Sequence, residues 1–322
     1  MNNQKMSLKN YFWEIWCVAS VIGIWPRYIE PNLISVSKMN LKVPNLPRGL
    51  HGLKVVQFSD LHWKDKMSPR FLNKIIQKID SLEPDVILFT GDAISYGELN
   101  EPETLQDFLC TLHAKYGCFA ILGNHDYNEY VSVNDDGDYD VGCRAKSALS
   151  KGFKRFFSNV KLTKKVTERA KNVPFNERLI ECFKNTPFIL LHNETKVLSI
   201  KNCSLNITGL GEHMLGRCDP SEAFQNYDTN GPGIIMLHNP DGLKALQEYP
   251  GNIVLCGHTH GGQINLPGLV NKFMYLENPA LKRGIKKSNH HWVYVNRGIG
   301  SIMPFRWFST PELLCLTLEA SE

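Results

Sequence analysis

Two stretches decide the fold: Val55–His62, VVQFSDLH, and Val254–Gln263, VLCGHTHGGQ. Each is an apolar run of strand length that stops on a carboxylate or an imidazole. Outward from the first, ILFTGD ends a run over Val86–Thr90 at Asp92, and AILGNHD ends a run over Cys118–Leu122 at Asn124, His125 and Asp126. Between these runs the apolar spacing changes from a strand's to a helix's. Phe71, Ile75, Ile76 and Ile79 predict a helix over Arg70–Leu82, stopped by Pro84, and a second helix is expected over Glu103–Lys115. Alternating strands and helices of this kind predict parallel strands with crossover connections. Further along, strands are expected at Phe188–His192, Ile234–His238, Ile253–Cys256, Trp292–Asn296 and Leu313–Leu318. A hairpin is expected over Lys196–Ile200/Ser204–Leu210, and helices near Pro220–Asn226 and over Asp241–Glu248.

The chemistry collects at the carboxyl ends of these strands, where open α/β sheets place their sites. Asp60 and His62 follow the first strand, Asp92 the second, and Asn124 with His125 the third. IIMLHN delivers His238, and the GHTH run delivers His258 and His260. Taken singly, a histidine after a strand is more often a structural residue, and Gly-Asp is a common turn. Five successive strand exits carrying oxygen or imidazole donors are hard to obtain from structural needs alone. Carboxylate, amide and imidazole donors without thiolate suit Mn²⁺, Fe or Zn²⁺ better than a cysteine-bound structural zinc.

Composition sets the surroundings. Hydrophobic residues at 43% and charged residues at 21% are those of a globular chain and exclude a disordered one. Nine cysteines, an odd number without a C-x-x-C pair, read as reduced thiols. The N-x-S/T matches at Asn193, Asn202 and Asn206 read as chance. The net charge of +4 is uneven: Arg144 to Lys171 holds ten cations and one acid, +9, which leaves −5 for the rest. These cations interleave with Phe153, Phe156, Phe157, Val160 and Leu162. Either a solvated helix face or a lid that meets lipid and phosphate would look like this. No nucleic-acid recognition motif accompanies the patch. At the N-terminus, Tyr11–Trp25 is almost wholly apolar, with Lys5, Lys9 and Arg27 flanking it. Fifteen helical residues span about 22 Å, short of a hydrocarbon core of roughly 30 Å. Residues 1–30 are therefore expected to lie in or on a membrane interface, a helix packed on the body being the other reading. A Pro-punctuated linker is expected within 31–53, then one catalytic domain over 54–319 with an insertion at 127–187.

The pattern D-x-H … G-D … G-N-H-D … H … G-H-x-H, intact over residues 54–262, resembles the signature of calcineurin-like metallophosphoesterases. That resemblance implies an α/β sandwich of two mixed β-sheets flanked by helices. It implies two divalent metal ions, Mn²⁺ first among Zn²⁺, Fe and Mg²⁺. Asp60, His62 and His260 would hold one ion and Asn124, His238 and His258 the other, with Asp92 bridging. His125 would be the catalytic histidine, oriented by Asp126. The run GHTHGGQINLPG and the C-terminal YVNRGIGSIMPFRWFSTPELLCLTL are similar to a membrane-associated bacterial branch of the family. Within that branch the likeness is to enzymes that split the pyrophosphate of UDP-2,3-diacylglucosamine into UMP and 2,3-diacylglucosamine 1-phosphate for lipid A. It implies a nucleotide-lipid substrate and a place at the cytoplasmic face of the inner membrane, with neither nucleic acid nor an obligate protein partner. Hydrolysis of another phospholipid or nucleotide ester is the alternative, and a non-enzymatic scaffold the remote one. Arg297 and Arg306 could contact phosphate or be structural.

Overall fold

The computed structural model describes residues 8–142, 160–265, 275–303 and 305–321. Its strands are β1 Ser35–Val43, β2 Lys54–Phe58, β3 Val86–Phe89, β4 Cys118–Ala120, β5 Val131–Val133, β6 Tyr139–Val141 and β7 Phe188–Leu190. The second half adds β8 Glu194–Ile200, β9 Cys203–Gly209, β10 Gly233–Met236, β11 Ile253–Cys256, β12 Gly284–Ser288, β13 His291–Val295 and β14 Glu312–Ala320. The helices are α1 Leu8–Ala19, α2 Pro69–Asp80, α3 Pro102–Cys110, α4 Glu168–Lys171, α5 Glu177–Lys184 and α6 Pro220–Ala223.

Two mixed six-stranded sheets stack face to face. One runs β1-β14-β2-β3-β4-β7 and the other β12-β13-β11-β10-β9-β8, while β5 and β6 pair apart from both. Within the first, β2, β3, β4 and β7 are parallel, with Val55 opposite Val86 and Ile87 opposite Cys118. In the second, β9, β10, β11 and β13 are parallel, and β8–β9 is the expected antiparallel hairpin. The two-residue period of a strand sends neighbours to opposite faces. Thus Val55 and Leu88 join Ile207, Ile234 and Leu255 between the sheets. Their neighbours Val56 and Ile87 pack outward against Ile75 and Ile79 of α2 and Leu105 and Leu109 of α3. Ile235 and Val254 cover the other outer face with Leu243 and Leu246. This layering aims the carboxyl ends of β2, β3, β4, β10 and β11 at one edge.

Several expectations needed correction. Residues 31–53, expected to be a linker, carry β1, which pairs in parallel with β14 over nine residues. Lys38, Asn40 and Lys42 alternate with Met39, Leu41 and Val43, as an edge strand with one wet face requires. The expected helix over Asp241–Glu248 is a tighter 3₁₀ run, Pro240–Leu246, begun by an Asn239 cap and Pro240. Inside the insertion, Tyr127–Gly142 and Val160–Pro187 are described and bring β5, β6, α4 and α5. Arg144, Lys146, Lys151, Phe153, Lys154, Arg155, Phe156 and Phe157 lie outside the described residues.

The N-terminal segment stands apart in character. Beyond α1 it continues to Ile29 in wider π-type turns, and Tyr11, Phe12, Trp13, Trp16, Trp25 and Tyr28 are all exposed. Among the described residues, no helix is long and apolar enough to cross a membrane. The eight described cysteines are free thiols.

Candidate active site

Ladder hydrogen bonds run on past the strand ends and weave the exit loops together. Asp60 donates its amide to Gly91 O at 2.9 Å, His62 to Asp92 O at 3.0 Å, and Gly257 to His238 O at 3.0 Å. At the exits the chain turns sharply, and Asp60, His62, Asp92, His258 and His260 all take left-handed backbone conformations, φ 46–68°. Such positions cost on the order of 1–3 kcal/mol each, and Asp and His are among the residues that tolerate them best. The glycines before three of the ligands serve two ends. Gly91 has φ +92°, and a Cβ there would lie 2.7 Å from His238 Nδ1. Gly123 leaves space that a Cβ would take from Asp92 and His238.

The side chains so delivered form two buried groups: Asp60, His62 and His260, and Asp92, His238 and His258. Within each group one ligand atom per residue lies within 4.8 Å of the others. Asn124 joins the second, its Oδ1 at 2.9 Å from His258 Nδ1 and 3.2 Å from His238 Nε2. Asp92 reaches both groups, with Oδ2 at 3.6 Å from His62 Nε2 and 3.3 Å from His238 Nε2.

Whether cations fit here can be read from the hydrogens. His238 Nδ1 lies 2.7 Å from Thr90 O and His62 Nδ1 lies 3.2 Å from Ile94 O. A carbonyl only accepts, so both rings carry hydrogen on Nδ1 and, when neutral, turn the Nε2 lone pair inward. Asn124 Nδ2 donates to Val131 O at 2.8 Å, which aims its Oδ1 inward too. In the second group, with His238 neutral, its Nε2, Asn124 Oδ1 and the Asp92 carboxylate converge as acceptors, an arrangement relieved by a positive charge among them, whether a proton on His238 or a metal ion. In the first, the Nε2 atoms of His62 and His260 are 2.9 Å apart, near enough to share one proton that a metal would displace. The donor set and its outer partners fit two divalent ions.

Without those ions, charge is uneasy. Burial pushes Asp60 up to about 7 and Asp126 likewise, with the charge of Asp92 adding to both. Burial drives His62 down to about 4 and His125 to about 3. Burial opposes charge at Asp92 and His238 as well, yet each holds the other ionised. Asp92 sits well below the usual carboxylate range and His238 well above the usual imidazole range.

His125 touches the site differently. The amide of Tyr96 donates to its Nδ1 at 3.1 Å, so a neutral ring carries its hydrogen on Nε2. Its own amide donates to Asp92 Oδ1 at 2.9 Å, and Tyr130 stacks on it with centroids 4.9 Å apart. The orienting role expected of Asp126 therefore falls to Tyr96 and Tyr130. Asp126 instead accepts the amides of Gly123 and Ile94 at 2.8 and 3.0 Å, tying one exit loop to the next. No sequence pattern marks Tyr96, Tyr130, Thr90 or Ile94, because three act through backbone atoms and the fourth through ring packing. Arg306 and Arg297 prove structural. Arg306 is fully buried with its head on backbone carbonyls, and Arg297 pairs with Glu312 at 3.1 Å.

A cavity of about 160 Å³ opens over the ligands, walled by His125, Tyr130, Val133, Met214, Tyr275 and Ile302 among others. Tyr130, Ser132 and Val133 come from the insertion, so it forms one wall.

Residues 53–262 match the family described as calcineurin-like phosphoesterase. The chain belongs to that family. Its ligand groups accordingly form a dinuclear metal site of a metal-dependent hydrolase. Among relatives, a protein of Chlamydia trachomatis named UDP-2,3-diacylglucosamine pyrophosphatase LpxG is 41% identical over 308 residues, covering 91% of each chain. Its namesake in Chlamydia muridarum is 40% identical over 90% of this chain and 91% of its own. A protein of Escherichia coli named phosphodiesterase YaeI is 25% identical over 82% of both. In this phosphoesterase, full-length likeness to the first two extends well past the ligand loops.

Proposed function

We propose that this chain hydrolyses the pyrophosphate bond of UDP-2,3-diacylglucosamine, releasing UMP and 2,3-diacylglucosamine 1-phosphate in lipid A synthesis. The observation that carries this reading is 41% identity over 91% of both chains to a relative named for that reaction. The intact ligand set and a cavity lined by both polar and apolar side chains agree with it.

In this reading Asp60, His62 and His260 hold one ion, Asn124, His238 and His258 the other, and Asp92 both. Mn²⁺ is the ion we expect, from the mixed oxygen and imidazole donors. Such a pair lowers the pKa of a bound water and neutralises phosphoryl oxygens for in-line displacement. His125 holds its hydrogen on Nε2, a tautomer fixed by the Tyr96 amide, and from there donates a hydrogen bond to the departing phosphate oxygen, which leaves as an anion. Asp126 acts as a brace that keeps the loops of His125 and Ile94 in register. Tyr130 and Val133 of the insertion, with Met214 and Ile302, exclude water around the cleaved bond.

The N-terminal segment, residues 1–30, lies in the bilayer interface at the cytoplasmic face in this reading. The exposed aromatics from Tyr11 to Tyr28, with Lys9 and Arg27 near the two ends, suit that depth. A membrane-seated enzyme meets a lipid-tailed nucleotide where that molecule resides.

The test is turnover of UDP-2,3-diacylglucosamine in detergent micelles with Mn²⁺, Mg²⁺ or Zn²⁺, following UMP. Release of UMP with at least one metal supports the reading. No UMP with any metal, alongside cleavage of a simple phosphodiester, would turn it toward a general phosphodiesterase.

A further inference from the structure

Within the exposed N-terminal segment one side chain behaves oddly. Glu30 is only 3% exposed, between exposed Ile29 and a proline. Its carboxylate accepts the Ser309 amide at 2.6 Å, the Phe308 amide at 3.1 Å and the Trp25 indole at 3.1 Å. Four residues earlier, Pro26 O accepts the amide of Arg306 at 2.7 Å. The segment is therefore latched, backbone and side chain, to the loop between β13 and β14.

That loop runs directly behind one half of the metal centre. The buried Arg306 head gathers the loop by donating to Arg297 O at 2.8 Å, Ser309 O at 2.9 Å and Gly298 O at 3.2 Å. The same head lies 3.2 Å from His260 Nδ1, toward which a guanidinium can only donate, so Arg306 braces the loop through the carbonyls and does not fix the ring's metal-binding tautomer, while Ser309 Oγ donates to His260 O at 2.5 Å. Gly300 and Ile299 donate amides to Asp60 O at 2.8 Å and Ser59 O at 2.9 Å. Phe308, a bulky residue at φ +54°, holds a costly conformation whose amide Glu30 fixes. The hydrogen bonds of this strap reach Asp60 and His260. The other group is braced by Thr90, Val131 and the His125 amide instead.

We propose that Glu30, Arg306 and Ser309 are positioning residues for the metal ion held by Asp60, His62 and His260, so that the N-terminal segment is built into the metal centre. Groups that orient metal ligands from behind set affinity as well as geometry, and losing one typically costs about 10–100-fold in affinity. The proposal rests on the dinuclear site and not on the identity of the substrate.

The experiment titrates Mn²⁺ into the full-length chain in detergent, counting bound ion by electron paramagnetic resonance. Wild type should take two ions. Glu30→Ala should keep one near wild-type affinity and bind the other about 10–100-fold more weakly, with Glu30→Gln between them. Ser309→Ala removes only the hydroxyl on His260 and should show the same one-site loss at smaller amplitude, even if Glu30→Ala fails to fold. Trp13→Ser with Trp16→Ser, which alters exposed residues outside the strap, should bind both ions as wild type does. Two sites of unchanged affinity in both Glu30→Ala and Ser309→Ala would overturn the strap. A wild type that binds no Mn²⁺ would overturn the metal centre and the strap with it.

Discussion

The candidate metal site is braced from two directions that follow different physical rules. In front, seven side chains sit at the exits of five parallel strands, and two sheets packed through Val55, Leu88, Ile234 and Leu255 fix where those exits lie. Behind, the strap from Pro26 to Glu30 and the β13–β14 loop is held by hydrogen bonds through Glu30 and Arg306. Strand exits are rigid because shifting one means shifting a core. A strap is rigid only while each donor keeps its acceptor, so one lost carboxylate releases several groups at once. Changes in front should therefore abolish chemistry outright, and changes behind should weaken one site while the body remains folded.

The largest effect expected is from Asp92→Ala in front. Its carboxylate lies within reach of both groups and also accepts the His125 amide. Removing it should empty both sites and leave His238 without a counter-charge. Metal chemistry supplies several kcal/mol of stabilisation, so at about 1.4 kcal/mol per decade the rate should fall about 10³-fold or more. Metal analysis of the purified variant checks this, and two ions retained in full would break the bridging assignment. His125→Ala comes next. The ring is stacked and hydrogen-bonded beside the ligands, so both ions should stay while kcat drops about 10²–10⁴-fold. Loss of metal together with rate would make His125 a support and not a hydrogen-bond donor.

The contrast also explains what could be read from the chain. The front was legible because an apolar strand followed by a donor is a local pattern, repeated at Asp60, Asp92, Asn124, His238 and His258. The two mixed sheets came with it through the family resemblance, and the alternating helices followed from periodicity. The back was not legible, since Glu30 and Ser309 are 279 residues apart and their bond involves one backbone amide. Nothing local marks a glutamate in an apolar segment as buried. For the same reason β1 looked like linker: its partner β14 lies at the far end of the chain. Arg306 shows the converse ambiguity: a conspicuous cation near a phosphate site reads equally as phosphate contact or as support, and its head is turned to loop carbonyls and the edge of His260.

The smallest effect should come from the part of the segment that the strap does not use. Trp13 and Trp16 stack at 5.5 Å on α1 and are 64% and 57% exposed, with their rings away from the latch at Trp25 and Glu30. Trp13→Ser with Trp16→Ser should weaken binding to phosphatidylcholine–phosphatidylglycerol vesicles, by at most about 1.5–3 kcal/mol for each aromatic removed from the interface. Hydrolysis of a water-soluble phosphodiester should stay within about twofold, because neither ring reaches the ligands, and at 1.36 kcal/mol per decade that bounds any change at the metal centre to a few tenths of a kcal/mol. Vesicle sedimentation and the soluble assay, run on one preparation, separate the two functions of the segment. If the soluble rate falls with vesicle binding, anchoring and metal support are one structure, and the boundary drawn at Trp25 is in the wrong place. If vesicle binding is unchanged, α1 is not the lipid contact, and exposed Phe308, stacked on half-buried Trp307 beside the latch, becomes the surface to alter next.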